Sequence, residues 1–270
     1  MEEEYGVYLE ISKAICFRGI IQLLQEVKLG QVTFVFTRDN ISIIELSAVE
    51  EKHKGKSQQI LFLGEIEAKR TKYLYNFDQD WFAFRGKLNN FNVIVSSCTK
   101  SDGIIFYIKK SNEHAMCINI VSTNDSLGEE NIGIIPRMES EIHEYELPEY
   151  KISHSIVGVV NSLHDKLKRL KKSKADQVQF KLTKDAFIIS RGVTGDVTAD
   201  LKHTYGDVIH KPDEDLEFEL ASYTLNMLCK LNVICDSKDQ LNITMEPDSP
   251  LRIETPLANI GTFSIYIYPK

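Results

Sequence analysis

The chain has 270 residues, 43% hydrophobic and 26% charged, with 39 acidic side chains against 32 basic ones and a formal charge of −7. That is room for two ordinary domains, each able to bury a core. It excludes a membrane-spanning chain, since the most apolar early run, Ala14 to Leu24, is broken by Arg18 and Gln22, and no secretory signal is read. The five cysteines, Cys16, Cys98, Cys117, Cys229 and Cys235, form no CxxC pair and read as reduced thiols of an intracellular protein.

Tyr5 to Ser12 alternates like a strand, and Lys13 to Val27 switches to helical spacing, with Phe17, Ile20, Ile21, Leu24 and Val27 on one side and Arg18 off it. Val32 to Thr37 and Ile41 to Leu46 are β-rich runs parted by Arg38, Asp39 and Asn40, a hairpin signal because Asp and Asn tolerate left-handed backbone. Glu50 to Gln59 is charged and aperiodic and reads as a loop. Ile60 to Ala68 and Tyr73 to Phe77 are further strands, and Leu88 to Cys98 fits a short helix after Arg85 and Lys87. Ile104 to Lys109 and Met116 to Val121 form another strand pair. Ser122 to Glu144, rich in Asn, Ser, Gly and Glu, reads as a linker.

The pattern then restarts. Ser153 to Lys174 reads as one helix, because Ile156, Val160, Leu163, Leu167 and Leu170 recur at steps of three and four. At about 100° per residue, Lys168, Arg169 and Lys172 fall opposite that stripe, with Lys166 and Lys171 on its flanks. Two explanations stand at this point. Cations suit the negative end of a helix dipole, and a basic face on an acidic chain suits phosphates. Strands Val178 to Leu182, Ala186 to Ser190 and Val197 to Tyr205 follow, then Leu216, Phe218 and Leu220 alternating inward. Ser222 is the expected N-cap of a short helix carrying Leu225, Leu228 and Leu231, with Lys230 off the stripe. Leu241 to Met245, Leu251 to Thr255 and Gly261 to Tyr268 close the chain as strands.

A strand, a helix and then about three strands recur on each side of the linker, an internal repeat of architecture. The reading is α+β: two like domains, residues 1–127 and 149–270, joined by a connector at 128–148, each with two helices on antiparallel sheet. Catalytic signatures are missing. There is no HExxH, no paired Cys/His spacing, no EF-hand loop, no GxGxxG and no GxSxG. Gly55, Lys56 and Ser57 lack the glycine that would complete a phosphate loop. His164 and Asp165, adjacent on a helix, point apart, and the glycosylation triplets at Asn124 and Asn242 mean little without secretion. No catalytic residue, metal or cofactor is expected.

Leu216 to Lys270, reading LEFELASYTLNMLCKLN and then LNITMEPDSPLRIETPLANIGTFSIYIYPK, resembles the sliding clamps of the proliferating cell nuclear antigen family, and LTKDAFIISRGVTGDVTADLKHT, from Leu182 to Thr204, is similar to that family's second-domain hairpin. The resemblance covers roughly the last 120 residues in register and the first domain in pattern alone. It implies a DNA clamp fold closing as a homotrimeric ring, with helices around double-stranded DNA bound without sequence preference. It also implies a processivity factor for DNA polymerase that recruits a clamp loader and a flap endonuclease or ligase through short peptides.

Under this resemblance Lys166, Lys168, Arg169, Lys171 and Lys172 face DNA, together with Arg18, Arg85, Lys87 and Lys230. The partner-peptide groove maps onto Leu46, Tyr145, Leu147, Pro148, Pro250, Tyr266, Tyr268 and Pro269. Subunit contact pairs an edge strand carrying Met116, Ile118 and Ile120 with Val197, Ala199, Leu201 and His203 of the next subunit. Lys184 falls where family members carry a lysine used for regulatory conjugation. A nuclear location is implied, or a cytoplasmic viral replication site if the source is a large DNA virus. The charged stretch around Glu50 to Gln59 and the few lysines on the first-domain helices depart from the family pattern. Two rivals remain: a subunit of a heterotrimeric DNA-damage checkpoint clamp, and a nucleic-acid-processing enzyme with an unrecognised site.

Overall fold

A computed structural model describes residues 4–50, 57–122, 131–139, 145–150, 154–172, 177–191, 202–234 and 238–269. Packing divides the chain into two compact units, each built from separated segments. The first comprises Met1–Glu45, Leu63–Glu144 and Leu257–Thr262; the second comprises Leu46–Phe62, Tyr145–Pro256 and Phe263–Lys270.

In chain order the first half gives β1 (Tyr5–Ile11), α1 (Ala14–Glu26), β2 (Gln31–Thr37), β3 (Asn40–Glu50), β4 (Ser57–Glu67), β5 (Lys72–Tyr75), β6 (Trp81–Lys87), α2 (Leu88–Val95), β7 (Gly103–Lys109), β8 (Asn112–Val121) and β9 (Asn131–Pro136). In the first unit β5, β1, β7, β8 and β9 form an antiparallel sheet in that order, while β2 pairs antiparallel with both β3 and β6. The core that holds this unit is aromatic. Phe17 on α1 meets Phe106 on β7 edge-on at 4.7 Å, and Phe34 on β2 meets Phe91 on α2 at 5.4 Å. Phe34, Phe91 and Phe106 are each 2% exposed or less, and such pairs add about 0.5–1.5 kcal/mol each beyond area burial.

The second half gives β10 (His154–Val159), α3 (Val160–Lys172), β11 (Gln177–Leu182), β12 (Phe187–Arg191), β13 (Lys202–Thr204), β14 (Asp207–Val208), β15 (Leu216–Ala221), α4 (Ser222–Leu228), β16 (Gln240–Met245), β17 (Leu251–Leu257) and β18 (Gly261–Ile267). In the second unit β13, β12, β11 and β15 form a four-stranded antiparallel sheet, and β10 lies between β14 and β16, with β17 beyond β16. Helices α3 and α4 pack together, α3 over β10 and β12 and α4 over β11 and β15.

Several expectations change against this architecture. The stretch from Ser153 does not form one helix: His154–Val159 is a strand and the helix starts at Val160. Ile156, Val157 and Val159 are β-branched, and a strand suits their stiff χ1 better than a helix does. Gly158 makes the same point, since a Cβ there would collide with the Tyr205 ring. The expected linker contains β9, which hydrogen-bonds along β8 from Ala115 to Ile120. Trp81–Lys87 is a strand that the sequence pattern does not announce, because it is buried on both faces between its exposed ends and so shows no alternation. Of the stretch expected to be a loop at 50–59, Glu50 belongs to β3 and Ser57 to Gln59 belong to β4, while 51–56 lie outside the described residues. The N-cap of α4 is Ala221 and not Ser222, and no side chain caps it.

One buried side chain stitches the second unit. Gln58 on β4 is 1% exposed. Its Nε2 donates to the carbonyls of Glu219 at 3.2 Å and Tyr268 at 3.1 Å; its Oε1 accepts from the Ala221 N–H at 3.2 Å and the Thr224 hydroxyl at 2.8 Å. That uses the full capacity of a carboxamide. Gln58→Leu keeps the volume but strands four partners. The expected loss is about 2 to 4 kcal/mol, since each unsatisfied buried group costs about 1–3 kcal/mol and some relax toward water; chemical denaturation of the variant beside the wild type measures it.

Candidate nucleic-acid and partner-peptide surfaces

Helix α3 buries Val160, Leu163, Leu167 and Leu170. The same turns therefore leave Lys168, Arg169, Lys171 and Lys172 exposed, while Lys166 is half-buried and donates to the Ser162 hydroxyl at 2.8 Å. His164 does not pair with Asp165; its Nδ1 is 2.8 Å from the Cys229 carbonyl, which ties α3 to the end of α4. Lys230 is exposed just beyond, and Lys168, Lys171 and Lys230 all act on the Cys229 thiol. Their pull toward thiolate is outweighed by burial, which pushes that thiol up. The cations of α3 and Lys230, two residues past the end of α4, thus supply one cationic field.

The first unit is different. Arg85, expected to face DNA, is 5% exposed on β6. Its Nε donates to the Thr33 hydroxyl at 2.8 Å, and that hydroxyl donates to Glu45 Oε1 at 2.8 Å. A guanidinium committed to a buried relay cannot reach a phosphate, so that assignment is corrected. Arg18 is half-buried, with Nη1 donating to the Cys98 carbonyl at 2.7 Å, where it binds the segment after α2 instead of projecting into solvent. Of the cations expected here, Lys87 alone is exposed. Around it α2 offers Asn89 and Val93, which carry no charge.

The expected groove residues all belong to the second unit. Leu147 is 46% exposed, Pro269 is exposed, and Leu46, Tyr145, Pro148 and Tyr268 are half-buried. Pro250 and Tyr266 are buried, so they support the surface from beneath instead of presenting it. Sequence reasoning missed Tyr150, whose hydroxyl donates to the Pro250 carbonyl at 2.8 Å and so pins the chain after Leu147 to the turn before β17. Its place two residues beyond Pro148 is the only signal the sequence holds. Arg252 sits 5.8 Å from the centre of the Tyr266 ring, within cation–π range. Beside Pro269 a cavity of about 300 Å³ opens, floored by Leu216, Phe218 and Leu251 and rimmed by Glu217, Glu219 and Asp248.

The expected subunit edge also changes. Met116 and Ile118 are fully buried, and β8 is flanked by β7 on one side and β9 on the other. It has no open edge. Ile120 is half-buried on the same strand, and β9, with Ile132 and Ile134 exposed, is the outer strand. His203 is half-buried on β13, while Val197, Ala199 and Leu201 lie outside the described residues. Lys184 is exposed in the turn between β11 and β12, where Thr183 Oγ1 accepts the Asp185 and Ala186 N–H groups. Among the described residues no group of His, Cys, Asp and Glu could hold a metal ion, and no helix is long and apolar enough to cross a membrane.

By sequence the chain matches no protein-family profile and no curated protein. Solved structures do match. The proliferating cell nuclear antigen of Entamoeba histolytica is similar at a TM-score of 0.76 and 14% identity, over 98% of this chain and 99% of that one. The chain has the sliding-clamp fold. The clamp of Thermococcus kodakaraensis is similar at 0.77 and 14% identity over 98% and 100%, and the PCNA2–PCNA3 complex of Sulfolobus tokodaii at 0.76 and 16% identity over 97% and 99%. This places both α+β units in the clamp architecture, with low identity accounting for the silence of the sequence comparisons.

The Glu45 relay makes a pH prediction for this clamp fold. Burial pushes the Glu45 carboxyl up to about 7, against the Thr33 hydrogen bond and the Arg85 charge that favour ionisation. A carboxyl raised on folding adds stability that is complete below its unfolded value of 4.5 and is lost as pH rises through its folded value. Glu45→Gln removes that loss: relative to wild type, its stability should rise by about 3 kcal/mol between about pH 5 and about pH 8. Urea titrations across that range check the slope.

Proposed function

We propose that this protein is a DNA sliding clamp, a non-catalytic ring subunit that tethers a polymerase and other replication or repair enzymes to duplex DNA. The observation that carries the reading is the segregated charge: exposed Lys168, Arg169, Lys171 and Lys172 on one helix of a chain whose formal charge is −7, on a clamp fold. A ring holding a polyanion needs positive charge toward the duplex, and contacts to phosphate alone carry no sequence information. Replacing Lys168, Arg169 and Lys172 with Glu should lower retention on closed circular DNA by roughly tenfold or more at low salt, and leave assembly mass unchanged. Equal retention of the variant and the wild type rejects the lining role.

Partner recruitment is assigned to the surface of Leu147, Tyr268 and Pro269, supported from below by Tyr266 and Pro250. An exposed aliphatic side chain beside a half-buried aromatic one is a surface of the kind that accepts a short apolar tail. Leu147→Asp with Tyr268→Ala should weaken a polymerase-tail peptide by roughly a hundredfold, about 3 kcal/mol, in an anisotropy titration; Tyr266 is spared because its burial makes it part of the core. Lys184, exposed on its turn, is the proposed conjugation site.

One observation favours a heteromeric ring as a second reading. One of the similar solved structures is a complex of two clamp chains, PCNA2 and PCNA3. A solution mass of three chains for the purified protein supports the homotrimer; a monomer that closes only with other clamp subunits supports the heteromer.

A further inference from the structure

Strand β15 ends the four-stranded sheet, and on its outer side no strand pairs with it among the described residues. The Gln58 carboxamide stands there instead. It takes the Glu219 carbonyl and the Ala221 N–H, two groups on one edge, as the peptide group of a neighbouring strand would. Because backbone groups face one edge at every second residue, the next groups on that edge are those of Glu217. The cavity of about 300 Å³ opens at this point. Its floor is apolar, its lining includes Glu217, Glu219, Glu246 and Asp248, and among the described residues no Lys, Arg or His lines it. Lys181 pairs with Glu217 at 2.9 Å, and Ser249 reaches Glu246 at 3.3 Å. Among the described lining residues the formal charge is negative.

We propose that β15 is an acceptor edge for an extended peptide that carries Lys or Arg beside an apolar residue. The peptide adds as a strand, continuing the pairing that Gln58 begins, sets its apolar side chain on Phe218 and Leu251, and places its cation between Glu219 and Asp248. Strand addition supplies affinity through the main chain, and the carboxylates select the sign of the side chain. The cavity shares Pro269 with the partner-peptide surface, so this names the chemistry of that surface's ligand and rests on that reading.

The test uses the full chain and a labelled peptide of alternating Lys and Val with one central Phe. Wild type should bind it, with affinity falling as salt rises, and should not bind the same peptide with Glu for Lys. Glu219→Gln with Asp248→Asn should weaken binding roughly tenfold. N-methylation of alternate peptide residues should abolish binding in one phase and spare it in the other, because only one edge pairs. Binding unchanged by the double neutralisation, or methylation in both phases without effect, overturns the proposal. If Leu147→Asp with Tyr268→Ala weakens the peptide while the neutralisation does not, the acceptor edge falls and the partner surface stands. If neither variant matters, both fall.

Discussion

The burial of one apolar stripe governs the second unit. Val160, Leu163, Leu167 and Leu170 are each 1% exposed or less, and a fully buried aliphatic side chain is worth about 1.5–3 kcal/mol. Crowding Lys168, Arg169, Lys171 and Lys172 on the other side costs only a few tenths of a kcal/mol per like-charged pair at helical spacing. Packing wins by a wide margin, so the helix has one orientation and the cations have one direction to point. The charged surface is a by-product of the core and needs no loop to hold it.

Each unit also contains a buried polar node, and the two nodes work differently. Gln58 is neutral and fully paired, so it fixes β15 and the residue after β18 without depending on pH. The Arg85–Thr33–Glu45 relay is ionisable, and desolvation of Glu45 outweighs its attraction to Arg85. The first makes a rigid edge; the second makes stability respond to protons.

Most elements were legible in the sequence because their periods are clean: the α1 stripe, the hairpin at Arg38 and Asp39, the strands β16 to β18. The misreadings share a cause. Period counting cannot separate a strand from the helix that follows when the apolar steps continue across the junction, as Ile156 does into Val160. Strand β9 was hidden by Asn, Gly and Glu neighbours, although Gly133 is needed where Ile94 packs against the strand. Arg85 read as a surface cation because nothing local marks its partners, Thr33 and Glu45, which lie dozens of positions away in the chain. The basic face of α3 was legible because a single helix carries both its stripe and its charge.

The poverty of charge on α1 and α2 carries a mechanical implication. With Arg18 and Arg85 drawn into internal contacts and Lys87 the one expected cation of the first unit left exposed, each subunit of the proposed ring would grip a duplex mainly through its second unit. In such a ring fewer phosphates would be held at any instant, so fewer bonds would rearrange for each base pair of travel. Friction along the double helix would fall, and topological linkage, which needs no adhesion, would be left to prevent escape.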